Sequence, residues 1–171
     1  EAVKGSNGNT YVVDGGRKSV IVLDDENRLI RKLQGGSESS DFFYAGRICG
    51  DASGNIFIAD TISGMQGNRI QKERIIKIEK NKSSVMYEFD YTTSNDPPMQ
   101  YGNILELQEY DDYIYFLKKE VGHIDIYRIS TDGKTQQIEK LEEIPCSFFL
   151  NDAAYDVSTE TVVVTTRLGE V

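Results

Sequence analysis

Gly8-Asn9-Thr10-Tyr11-Val12-Val13-Asp14 returns 46 positions later as Gly54-Asn55-Ile56-Phe57-Ile58-Ala59-Asp60. Gly, Asn, an aromatic, an aliphatic, a small apolar residue and Asp recur in the same order. A fixed internal period marks a repeat architecture, in which each unit buries its apolar face against its neighbours. Glycine reaches positive φ freely and Asn tolerates it, so each copy reads as a tight turn feeding a strand. The β-branched and aromatic residues that follow suit a buried strand.

Two weaker copies continue the series. Asp112-Tyr113-Ile114-Tyr115-Phe116-Leu117 places Tyr115 58 positions after Phe57, and Thr161-Val162-Val163-Val164-Thr165 places Val163 48 positions further on. Short apolar segments separated by turn residues flank each copy. In the first unit these are Ala2-Val3, Ser19 to Leu23 and Leu29 to Leu33. In the second they are Arg47 to Cys49, Arg74 to Ile78 and Val85 to Phe89. The third has Ile104 to Leu107, Ile124 to Ile129 and Gln137 to Leu141. Val20 to Leu23 is continuously apolar, whereas Leu29 to Leu33 and Val85 to Phe89 mix apolar with charged residues, as half-exposed strands do. The unit is therefore an inner strand, two core strands and an outer strand, and no segment has the period of an amphipathic helix. The expectation is an all-β chain forming one domain over residues 1–171, with units near 1–34, 45–91, 103–141 and 150–171.

Sequential four-stranded antiparallel units at this spacing form the blade pattern of a β-propeller. The Gly-Asn-x-aromatic-aliphatic-small-Asp motif, followed by a strand ending Ile-x-x-aliphatic, resembles the NHL-type and related bacterial six- or seven-bladed propellers. These motifs are structural and identify a blade, not an activity. Lys118 and Thr166 replace the motif's Asp in the third and fourth units, so any role of that Asp does not carry there. Three units and two strands of a fourth make about three and a half blades, fewer than the roughly four to eight of a closed ring. The expectation is a piece of a longer protein whose first and last units, through Val12, Val20 to Leu23, Val162 and Val164, associate with a second copy.

Composition narrows the function. Lys plus Arg number 19 against 28 Asp plus Glu, a formal charge of −9, and the basic residues form no stripe. Nucleic-acid binding, which needs a concentrated positive surface, is disfavoured. No apolar run approaches the length of a membrane span, so this segment is expected not to insert into a membrane. Cys49 and Cys146 have no metal-site spacing and read as small apolar residues, with a disulfide left open. One histidine, no nucleophile motif and no phosphate loop weigh against an enzyme, and no cofactor, catalytic residue or metal site is assigned.

In an up-and-down blade the inter-blade loops and the loops after each second strand fall at one end. Those segments, 34–46, 61–73, 92–102, 118–122 and 142–152, read as longer and more varied than the opposite turns. Binding residues concentrate on such loops. Aromatic clusters recur there as Phe42-Phe43-Tyr44, Pro97 to Tyr101 and Phe148-Phe149. One aromatic of each suits a wedge between blades, and the others suit a stacking surface. The candidate ligand contacts are Tyr44, Asp60, Arg69, Tyr101 and His123. For Asp14 and Asp60 the plainer role is to accept backbone N–H bonds in the following turn, and for His123 it is packing or surface exposure. The function expected is a binding or sensor module for a small molecule, glycan or protein, extracytoplasmic and anchored through segments outside this chain. The alternative is a fragment of a metal-dependent propeller hydrolase or lyase.

Overall fold

The computed structural model describes residues 1–37, 41–63, 69–80, 82–93, 103–132, 138–146 and 150–166. These form strands and turns, with no helix among the described residues. The chain divides into two compact units, Glu1–Gly102 and Asn103–Val171.

The first unit holds two four-stranded antiparallel sheets, each wound in chain order. One consists of β1 (Ala2–Lys4), β2 (Thr10–Asp14), β3 (Ser19–Leu23) and β4 (Leu29–Gln34). The other consists of β5 (Ala45–Gly50), β6 (Ile56–Ser63), β7 (Ile70–Glu79) and β8 (Lys82–Asp90). The repeated motif builds the same turn twice. Gly8 and Gly54 have φ of 82° and 83°. Gly8 N–H donates to Gly5 O at 3.0 Å and Gly54 N–H to Asp51 O at 3.1 Å. Asn55 N–H and its side-chain amide both donate to the Asp51 carboxylate, and Asn9 N–H donates to Asn7 Oδ1.

Alternation along the strands then builds the core. Ile56 and Ile58 on β6 are register partners of Ile78 and Ile76 on β7, so the four share one face. They pack with Tyr11, Val20, Val22 and Leu33 of the first sheet and with Phe42 from the connection between the sheets. Phe57, Ala59 and Ile75 on the other face are buried too, which explains the unbroken apolar run of β6. Tyr11 reaches across to the inner strand of the second sheet. A Cβ on Gly50 would lie 2.5 Å from its Cζ, so glycine is what admits the ring. Burial pushes the Tyr11 hydroxyl above the usual tyrosine range, partly offset by the bond from Asn7 Nδ2 at 2.9 Å.

The second unit contains β9 (Ile104–Tyr110), β10 (Tyr113–Glu120), β11 (His123–Ser130) and β12 (Glu139–Pro145) as one antiparallel sheet, and β13 (Leu150–Asp156) with β14 (Thr161–Thr166) as a hairpin. Leu117, Ile124 and Ile126 pack on Leu150 and Ala153. The β9–β10 turn abandons the Gly-Asn solution. Asp111 and Asp112 both take positive φ, 51° and 63°, as a two-residue hairpin turn whose twist matches its strands requires.

Three expectations are corrected. The described residues 61–63 and 70–73, and residues 118–120, are strand. Thr61 pairs with Glu73 and Ile62 with Lys72, and β10 runs to Glu120 before a two-residue turn at Val121-Gly122. Continued ladder hydrogen bonding outweighs the polar composition that suggested loops. Val20 and Val22 are buried within the first unit and do not offer the open apolar surface expected of them, whereas Val162 and Val164 are partly buried against the core of the second. The outer strand of the third sheet is Glu139–Pro145, displaced from the expected 137–141.

Candidate functional site

Asp60 ends the repeated motif of the second sheet deep inside the first unit, with no exposed surface. Its Oδ1 accepts the backbone N–H groups of Phe43 and Tyr44, each at 2.7 Å. Its Oδ2 takes Arg74 Nε at 3.0 Å and Arg74 Nη2. The two residues sit opposite each other in the β6–β7 register, so the guanidinium reaches the carboxylate across the strands. Thr61 N–H donates to Tyr44 O at 3.0 Å and completes the clamp. Asp60 thus holds the connection that precedes its own sheet, rather than the turn that follows it. Asp14, its counterpart, does accept from the following turn, through Arg17 N–H at 3.1 Å.

The clamp displays one aromatic cluster with three different fates. Phe42 is fully buried as the wedge, and a Cβ on Gly35 would meet its ring at 2.3 Å. Phe43 lies under Lys18 Nζ, 4.9 Å from the ring centroid. Tyr44 is 43% exposed, with its hydroxyl over Gly15, where a Cβ would come within 2.9 Å. An exposed ring on a backbone fixed by a buried carboxylate is a preformed stacking surface with a polar tip.

Of the other candidates, Arg69 is exposed just before β7. Tyr101 lies outside the described residues, as do Phe148 and Phe149. The structure therefore joins Tyr44 to Asp60 in the first unit and places His123 in the second.

His123 opens β11 beside a charged cluster that sequence reading missed. Its Nδ1 lies 3.2 Å from Val121 O, and its Nε2 lies 3.3 Å from Asp125 Oδ1 and 3.9 Å from Glu143 Oε2. Asp125 is buried, and its Oδ2 accepts from Tyr127 Oη at 2.9 Å. Its Oδ1 stands 2.7 Å from Lys140 Nζ as an ion pair without directed hydrogen-bond geometry. Lys140 also reaches Glu143 at 2.8 Å. The lysine is held well above its usual range, first by Asp125 and then by Glu143, and Lys140 holds the Glu143 carboxyl down. His123-x-Asp125 on one strand was a legible hint, because residues two apart share a face. Glu143 faces Asp125 only through the β11–β12 register. Cys49 is buried and Cys146 half-buried.

The fold defined by these units is that of propeller blades, and comparison with solved structures agrees. The chain is similar to the Malassezia sympodialis allergen Mala s 1, at 12% identity and a TM-score of 0.55, covering 96% of this chain and 56% of that one. It is similar to a streptogramin B lyase at 15% identity and a TM-score of 0.53, covering 96% and 47%. A Lactobacillus plantarum protein aligns at 10% identity and a TM-score of 0.50, covering 97% and 53%. The chain spans about half the length of these structures. No family model and no curated protein matches the sequence. At these identities the likeness carries the fold alone, and an allergen beside a lyase shows one architecture serving different ends.

Proposed function

We propose that this chain is a ligand- or partner-binding module of a larger protein, acting through the sheet ends that carry the second-to-third-strand turns and the inter-sheet connections. The observation that supports the reading is Tyr44, an exposed ring on a backbone that buried Asp60 holds through Phe43 N–H and Tyr44 N–H. Ordering such a surface in advance lowers the entropy cost of binding. Lys18 and Phe43 beside it, and Arg69 on the same end of the second sheet, would give a ligand apolar, cationic and hydroxyl contacts. Asp60 acts in this reading as the positioning residue, and Tyr101 and His123 remain candidate contacts. A small organic molecule, a glycan or a peptide fits such a surface. The finer assignments, an NHL-type six-bladed parent, a sensor role and an extracytoplasmic location, belong to the same proposal, and the repeat motif bears on the first of them.

Ligand-observed NMR of the full chain against glycans, peptides and small metabolites tests it. A hit is expected to lose affinity in Tyr44→Ala. A hit mapping instead to the opposite turns at Asp24 to Asn27 or Asp51 to Gly54 would overturn the placement. The alternative reading, a piece of a metal-dependent propeller hydrolase or lyase, requires conversion of the bound compound, which the same spectra report.

A further inference from the structure

We propose that His123, Asp125 and Glu143 form a binding site for a first-row divalent cation, in which Lys140 is the internal cation that the ion displaces. This rests on no part of the ligand reading above. One donor atom from each of the three residues lies within 4.8 Å of the others.

The histidine carries the argument. A carbonyl oxygen only accepts, so the 3.2 Å contact with Val121 O places the proton of a neutral ring on Nδ1. Nε2 then turns its lone pair toward Asp125 Oδ1 and Glu143 Oε2, at 3.3 and 3.9 Å. Three electron-pair donors converge, and the positive charge that such a convergence needs is the Lys140 ammonium, which donates to Glu143 Oε2 at 2.8 Å and stands 2.7 Å from Asp125 Oδ1. Fixing one ring nitrogen on a backbone carbonyl so that the other is bare is also how metal-binding histidines are oriented. Asp125 is prepared in the same way. Its side chain is 5% exposed, Tyr127 Oη fixes Oδ2, and Oδ1 is directed into the cluster, where its partner is the Lys140 ammonium at 2.7 Å.

Lys140 supplies the balancing charge, 2.7 Å from Asp125 Oδ1 and 2.8 Å from Glu143 Oε2. It does so from the outer strand β12, with its side chain 40% exposed, so its flexible stem can carry the ammonium out to water. Glu143, 54% exposed, can close the remaining gap by rotation. One imidazole and two carboxylates suit zinc or manganese and leave coordination positions open, as three-ligand sites do. Doubly protonated His123 is the competing way to fill the cluster.

Titrating the chelator-stripped full chain with Co²⁺, followed by visible absorption, and with Zn²⁺ by competition separates the two. One saturable equivalent is expected. Lys140→Met is expected to tighten binding on the order of tenfold by removing the competing ammonium, and His123→Ala to weaken it by about tenfold or more. Both positions are partly exposed, and circular dichroism checks that each variant folds. Absence of saturable binding in the native chain and in Lys140→Met, unchanged affinity in His123→Ala, or weaker binding in Lys140→Met overturns the proposal.

Discussion

Asp60 on β6 and Arg74 on β7 are cross-strand partners, and the same register position in the third sheet holds Lys118 and Asp125, with the charges exchanged between the strands. In the second sheet the carboxylate is the buried member and the guanidinium, 19% exposed, touches water. In the third, Asp125 is still buried, but Lys118 is buried as well and turns to Glu120. The acidic group has moved one strand outward, and its neighbours His123, Lys140 and Glu143 follow from that.

The Asp60–Arg74 geometry makes the two truncations unequal. Arg74→Met strands a fully buried carboxylate with only backbone donors, and is expected to cost about 3–5 kcal/mol. Asp60→Asn leaves a guanidinium that water can reach, and about 1–3 kcal/mol is expected for the weakened backbone clamp. Urea unfolding of both variants checks the order. Equal losses would mean that the backbone clamp, not the ion pair, dominates.

Two glycines of the first unit are required for different reasons. Gly50→Ala drives a methyl into the buried Tyr11 ring, which Asn7 holds in place, and is expected to cost about 1–3 kcal/mol. Gly8→Ala meets no neighbouring atom but must hold φ at 82°, so a loss of about 1 kcal/mol is expected. Adding Tyr11→Leu should recover stability in Gly50→Ala and not in Gly8→Ala, which a thermal-unfolding double-mutant cycle measures.

Asp112 holds φ at 63° in the β9–β10 turn, a conformation that glycine adopts without Cβ strain. Asp112→Gly creates the preferred Asp-Gly hairpin turn and keeps the main-chain oxygen that accepts from Thr131 N–H. The melting temperature is expected to rise. A fall would show that the aspartate side chain contributes more than the strain it imposes.

Acid should destabilise the fold through turn carboxylates. Asp24 is held below its ordinary value of 3.8 chiefly by Arg28 N–H, Asp90 by the Thr92 hydroxyl and Asp156 by the Ser158 hydroxyl. A carboxyl lowered on folding adds stability above its unfolded value and loses it as pH falls through the folded one. The loss is therefore expected below about pH 4. Ser158→Ala should raise the Asp156 titration midpoint in carboxyl-carbon NMR and leave that of Asp24 unchanged.

For association we propose contact between two copies through the face of the first sheet that carries Val12 and Ile21. These are register partners turned away from the core and only half-buried. Light scattering across a dilution series should show a dimer that Ile21→Lys disperses. A monomeric native chain at micromolar concentration sinks the idea.

The sequence by itself determined the repeat, the turns and the strand order. Gly8-Asn9 and Gly54-Asn55 announce their turns because positive φ is a local demand, and the apolar runs that build β2, β6, β10 and β14 are each read within a few residues. It also marked Tyr44 as an aromatic with a polar tip. Tertiary structure decided which partners these residues meet. That Asp60 holds the preceding connection, that Arg74 answers it, and that Glu143 and Lys140 converge on His123 and Asp125 all depend on strand register. A shift of one residue turns every side chain to the other face, and register is set by non-local packing that no short window of sequence contains.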